Sequence, residues 1–271
     1  MSKWKLLSLT FGIAVLACLA PVVNSQISSD AARQLALSTV RSKSPTASNR
    51  FLSIHREEGL EESLAAATVG WRSGPEFIYR VSEAGVEIKG NSIVNHIAMD
   101  GDPTYIVAIS STDRTAYCIH GCGPRESLAE FEGLMAEMKL RLGNPDQAEA
   151  LADFYRQVNP QNYEDLGPVA SLLELKQAAE RQCVGDAKSF AAGEVAFNAW
   201  WKHAESLYGS LPFRERAFPQ GNGYQVEWIV TSSSSRKSCG GAALRADIEI
   251  SSDGRVVKLT FSDPGNQTQP R

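Results

Sequence analysis

Apolar and polar positions follow different periods in successive stretches of this chain. From Glu76 to His120 the apolar residues come in short runs separated by turn residues. Phe77–Val81 precedes Ala84-Gly85, Val86–Ile88 precedes Gly90-Asn91, and Ile93–Met99 precedes Asp100-Gly101-Asp102-Pro103. Tyr105–Ile109 and Thr115–Ile119 follow. Such runs between Gly, Asn and Asp turns predict an antiparallel β meander. Upstream, Ser29-Asp30 is placed to cap a helix over Ala31–Arg41, Phe51–His55 reads as a strand and Glu57–Val69 as a short helix.

From Pro124 to Gly209 the spacing becomes helical. Leu128, Phe131, Met135, Met138 and Leu142 recur every three or four residues, so they share one helix face, which Gly143 ends. Asn144-Pro145 with Gln147 marks the start of a second helix, and Asn159-Pro160 its end. A third is expected from Pro168 to Cys183. A fourth, capped by Asp186, would carry the stripe Phe190, Phe197, Trp201, Ala204 and Tyr208. Alternation then returns. Tyr224–Thr231 reads as a strand, and Leu244–Ile250 and Val256–Phe261 flank the hairpin signal Ser252-Asp253-Gly254.

Strands, then helices, then strands is the order of an α+β fold, not of alternating βαβ units. The expected divisions are a helix plus β-rich part over 26–123, a helical part with a C-terminal β hairpin over 124–261 that can form one domain with it, and a frayed tail over 262–271. No fixed-period repeat is visible in the sequence.

The first 25 residues stand apart. Lys3 and Lys5 precede an uncharged run from Leu6 to Ala20, and Val23 and Ser25 sit at the small-residue positions of a cut before Gln26. This is the layout of a secretory signal peptide, so the mature protein is expected in the periplasm or outside the cell. The run is interrupted by Ser8, Thr10, Gly12 and Pro21, which argues against a span. Ala14–Cys18 also fits a loose lipobox in which Cys18 would be acylated, but Leu16 is bulky there and the sequence after Cys18 stays apolar. No later stretch reaches the length of a transmembrane run, so the mature chain is expected to carry no span.

Charge changes the picture once the leader is set aside. The whole chain has 27 basic and 31 acidic residues, a net charge of −4. Without Lys3 and Lys5 the net charge is −6. From Glu126 to Glu180 eleven acids face four bases, which reads as solvated helix surface. An acidic chain lacks the basic face a polyanion needs, so nucleic acid is not an expected partner.

Four cysteines remain in the mature chain: Cys118, Cys122, Cys183 and Cys239. Export permits disulfides. The turn Tyr117-Cys118-Ile119-His120-Gly121-Cys122-Gly123-Pro124 brings its two cysteines close, and the expected pairs are Cys118–Cys122 and Cys183–Cys239. A redox site is the alternative at Cys118/Cys122, but its spacing is one residue longer than in thioredoxin-type sites and Gly123-Pro124 follows. Metal binding by Cys118, His120 and Cys122 lacks a second ligand cluster to complete a tetrahedral site.

Catalytic motifs add little. The chain has no phosphate-binding Gly loop, no dinucleotide fingerprint, no Gly-x-Ser-x-Gly and no His-Glu-x-x-His. Ser234-Ser235-Arg236-Lys237 matches Ser-x-x-Lys only within a serine-rich loop, and Asp100 with Asp102 reads as a turn. His55, His96, His120 and His203 have no nucleophile partner in sequence. Glu227 is expected on the solvent side of its strand, opposite Trp228. Trp200 beside Trp201 is unusual: Trp201 fits the core face, and Trp200 is then either buried on a wide stripe or left to line a partner or ligand surface. No cofactor or metal is implied. The expected function is binding, of a protein or a small molecule, with an envelope enzyme as the alternative: a hydrolase with a non-motif site, or a thiol-disulfide oxidoreductase using Cys118/Cys122.

Overall fold

Strand alternation decides which layers this chain can build. In the computed structural model, residues 27–44, 47, 51–68, 75–84, 86–89, 92–95, 103–110, 114–163, 168–186, 188–211, 213–231 and 243–262 are described. The leader with Cys18, and also His96, Asp100, Asp102, Ser234–Lys237 and Cys239, lie outside those residues.

The first part contains α1 (Ser29–Lys43), β1 (Phe51–Arg56), α2 (Glu58–Ala67), β2 (Pro75–Ala84), β3 (Val86–Lys89), β4 (Ser92–Asn95), β5 (Thr104–Ser110) and β6 (Ala116–His120). The helices α3 (Pro124–Met138), α4 (Pro145–Val158), α5 (Leu172–Asp186) and α6 (Phe190–Tyr208) follow. The strands β7 (Arg216–Gln220), β8 (Gly223–Thr231), β9 (Ala243–Ser251) and β10 (Val256–Ser262) close the chain. All sheet pairings are antiparallel, in the orders β1-β2-β5-β6 and β10-β9-β8-β7. The fold is α+β.

Three apolar clusters stack these elements. The central one joins α2, α3 and α4 to one face of each sheet, with Ile78, Ile106 and Ile119 from the first and Val226, Trp228 and Ile248 from the second. The first sheet buries its other face under α1, through Tyr79, Val107 and Cys118. Tyr105 to Ser110 of β5 are therefore all buried. Among the described residues, the second sheet has its other face covered at one end, where Ile229 and Ala243 meet Phe197 and Trp201 of α6 and Leu175 of α5. β9 consequently alternates between buried and half-buried positions.

Several expectations change in detail. The meander is not one run of five strands: β3 and β4 pair with each other as a separate ribbon between β2 and β5, and β1 fills the edge position beside β2. α3 does not run to Gly143. It ends at Lys139, which adopts the left-handed conformation at φ 48°, and this releases Leu140 and Leu142. Leu142 N–H donates to Ser252 O at 2.8 Å, while Leu140 packs against Gly254 in the β9–β10 turn. The tertiary contact thus outcompetes continued helix.

Pro168 does not open α5; it forms an isolated bridge with Val230. The helix starts four residues later behind a reciprocal cap, in which Ser171 Oγ accepts from Glu174 N and Glu174 Oε2 accepts from Ala170 N. Ser189, not Asp186, caps α6, because Asp186 is consumed as the last residue of α5. Phe190 falls outside the buried stripe at 70% exposure. The cap of α4 is as expected: Asn144 Oδ1 accepts from Gln147 N at 2.9 Å. The sequence Arg216-Ala217-Phe218-Pro219-Gln220 carries little strand signal, yet it forms β7, where Pro219 is tolerated because the strand is an edge.

Candidate functional site

The end of the second sheet's outer face that no described residue of α5 or α6 covers holds a network of charged side chains on its central strands. Residues of one parity on β8 and β9 face the central core, so Gln225 and Glu227 on β8 and Arg245, Asp247 and Glu249 on β9 share the opposite face. Register sets Glu227 directly across from Asp247. Two like charges in that relation repel. Arg245 lies one pleat away and engages both. Its Nη2 donates to Glu227 Oε1, and its Nε donates to Asp247 Oδ1 at 3.0 Å. Gln225 Nε2 donates to Asp247 Oδ1 at 3.0 Å.

These groups are half-buried, and Glu227 is not the fully solvated side chain its alternation suggests. Its side chain keeps 17% of its exposure, that of Asp247 15% and that of Arg245 25%. The cause is the crowding of long side chains on adjacent strands together with α5 and α6 over Ile229 and Ala243. Burial raises the Glu227 carboxyl above its ordinary range; Arg245 opposes that shift, and the neighbouring Asp247 adds to it. Arg216 on β7 is paired across from Glu227, Phe218 from Gln225 and, on β10, Lys258 from Glu249. Phe218 is 43% exposed. The result is a platform with an apolar wall at one end, a cross-linked charged centre, and an exposed ring and two cations on its edge strands.

The Cys118–Cys122 disulfide is formed, with Cα atoms 6.2 Å apart. Cys118 is buried under α1 and Cys122 is half-buried ahead of α3. The turn depends on Gly121 at φ 86°, where a Cβ would run into the backbone oxygen of Thr104. Gly121→Ala is expected to lower unfolding stability by about 1–3 kcal/mol, read by urea denaturation. An unchanged midpoint would show that the turn relaxes freely. Closing so short a loop is worth about 2 kcal/mol in the chain-entropy model, so Cys118→Ala/Cys122→Ala should lose about that much in the same assay. Cys183 is also disulfide-bonded.

The described histidines, Trp200 and the Cys118–Cys122 turn lie on β1, at the end of β6 and the turn after it, and on α6. Trp200 is half-buried among rings, with centroids 6.1 Å from Phe197, 5.8 Å from Trp201 and 6.3 Å from Tyr208. His203 is exposed on α6, and His55 is exposed on the edge strand β1. His120 ends β6, with Nδ1 2.9 Å from Asn159 O. Two carboxylates that sequence did not mark are held by hydroxyls: Tyr105 OH donates to Glu83 at 2.5 Å, and Ser110 and Tyr117 both donate to Glu137. Among the described residues, no group of three His, Cys, Asp or Glu is arranged to hold a metal ion. No described helix is long and apolar enough to cross a membrane.

No family model matches the chain, and no curated protein or solved structure matches it.

Proposed function

We propose that this is an exported binding protein of the periplasm or extracellular space, and that the open outer face of the second sheet is its recognition surface. The observation that carries this reading is the Arg245–Glu227–Asp247–Gln225 network on a sheet face that α5 and α6 leave partly uncovered. Groups already fixed by one another lose little freedom when a partner arrives, which favours recognition. The partner is a protein or a small molecule, and the acidic balance of the chain disfavours nucleic acid.

The immobilised mature chain should capture a partner from the native envelope or secreted fraction. Arg216→Glu, Phe218→Ala and Lys258→Glu should each weaken that capture without changing the circular dichroism spectrum. Repeated capture of nothing, or capture indifferent to all three substitutions, would overturn the reading. Export itself is supported by the leader pattern; intact-mass measurement should find a mature chain beginning at Gln26. Acylation at Cys18 predicts globomycin sensitivity instead.

The exported setting also carries the second disulfide, Cys183–Cys239. Tryptic mapping without reductant should return Thr115–Arg125 lighter by two hydrogens, and Gln182–Lys188 joined to Ser238–Arg245.

One observation favours a second reading, a thiol-disulfide oxidoreductase. The formed disulfide stands directly before α3 with its Cys122 end half-buried. Such an enzyme would reduce or isomerise a disulfide substrate, and Cys122→Ser would abolish that activity while the protein stays folded.

A further inference from the structure

We propose that the charged platform on the second sheet binds a neutral oligosaccharide. The proposal rests on the reading of that face as a recognition surface and names the class of its ligand. Acceptor atoms left over by the network point to it. The hydrogen bonds among these side chains fall on Glu227 Oε1 and Asp247 Oδ1. Glu227 Oε2, Asp247 Oδ2 and Gln225 Oε1 accept none among the described residues. Glu227 and Asp247 are register partners, and Gln225 is the next residue of β8 on the same face. A ligand for this centre therefore has to bring donors.

Charge decides which donors fit. Arg245 bridges Glu227 and Asp247. Register sets Arg216 across from Glu227 and Lys258 across from Glu249. Each charge on the platform thus has an opposite one beside it. A cationic or an anionic ligand would meet attraction and repulsion together, so neither gains electrostatic complementarity. Hydroxyl groups donate without carrying charge, and they also accept from the guanidinium and amide groups. A peptide would pair through its backbone along a strand edge, not across the face of a sheet.

Phe218 supplies the apolar part of the match. It lies across from Gln225 on the edge strand β7 and is 43% exposed. A sugar ring has a face of C–H groups, and the negative face of an aromatic ring attracts them. The row Phe218, Gln225, Glu249 and Lys258 crosses all four strands. At ordinary strand spacing it is about 14 Å long, room for a short saccharide chain rather than one ring. Carboxylate, amide and guanidinium groups each present two polar atoms in a plane, which suits the neighbouring hydroxyls of a sugar. Their mutual bonds hold them in place before the ligand arrives.

The labelled mature chain on an immobilised array of neutral and acidic oligosaccharides tests it, followed by titration calorimetry with the neutral members that bind. Neutral members should bind, and Kd should stay the same between about 0.1 and 1 M salt, because no net charge is paired. Phe218→Ala and Gln225→Ala should each weaken binding about tenfold with unchanged circular dichroism spectra. Phe218→Tyr, which keeps the ring, should retain it. An array on which nothing or only acidic members bind, an affinity that falls with salt, or binding indifferent to both alanine variants would overturn the assignment. A blank array together with a protein captured through Phe218 would overturn it while the recognition surface stands. A blank array with no capture at all would overturn both.

Discussion

Phe131→Ala should be among the most destabilising single truncations in this protein, at about 3–5 kcal/mol. The ring is completely buried on α3 in the central layer. It stacks on Phe154 at 5.9 Å and meets the edge of Tyr155 at 5.3 Å, both on α4. Those aromatic contacts add to the cost of burial area alone. The central layer is enclosed by a sheet on each side, so collapse into the vacated space needs both sheets to move. In thermal unfolding the expected fall is roughly 6–20 °C for a chain of this size. A fall of one or two degrees would mean that α3 and α4 repack across the gap.

Arg245→Ala should have the second large effect, and one that depends on pH. Without the guanidinium, Glu227 and Asp247 stand opposite each other, half-buried and unbridged. Burial and Asp247 already push the Glu227 carboxyl up from 4.5, and Arg245 restrains that shift, so its loss lets the carboxyl rise further. A carboxyl raised in the folded state binds its proton more tightly there than in the unfolded chain. Its stabilising contribution is whole below the ordinary carboxyl range and disappears as pH rises through the raised value. The variant should therefore lose about 1–3 kcal/mol at neutral pH and distinctly less near pH ~4. Chemical denaturation at both pH values checks this. Glu227→Gln added to Arg245→Ala should recover part of the neutral-pH loss; equal losses at both pH values would refute the electrostatic account.

Element type was legible where one face of an element is buried and the other is not. α4 is the clearest case, with Asn144, Pro145 and Gln147 at its start and Asn159 in the left-handed conformation at its end. The β8–β10 region was readable for the same reason, and so was the short Cys118–Cys122 link. The separate pairing of β3 with β4 was not legible, because alternation fixes which side a residue faces but not which strand lies beside it. β7 was missed because its pairing comes from β8, and Glu149 Oε1 accepts from Ala217 N at 2.9 Å to hold it. The end of α3 was misplaced because Lys139 turns left-handed to serve a contact more than a hundred residues away.

The charged platform was half legible. Alternation put Glu227 opposite Trp228, but its burial depends on how far α5 and α6 extend across the sheet. That coverage is a tertiary quantity with no local signature. The same limit applies to Trp200, whose neighbours Phe197 and Tyr208 are at helical spacing but whose remaining exposure depends on the packing of α5.

The two sheets clasp the same helices but are made at opposite ends of synthesis. α2, α3 and α4 can settle against the first sheet from residues already present. The other side of α4 packs on β7, β8 and β9. That side stays uncovered until the last strands emerge. In a chain made from its N-terminus, that side of α4 is therefore covered only when the strands that pack on it, β7, β8 and β9, have followed.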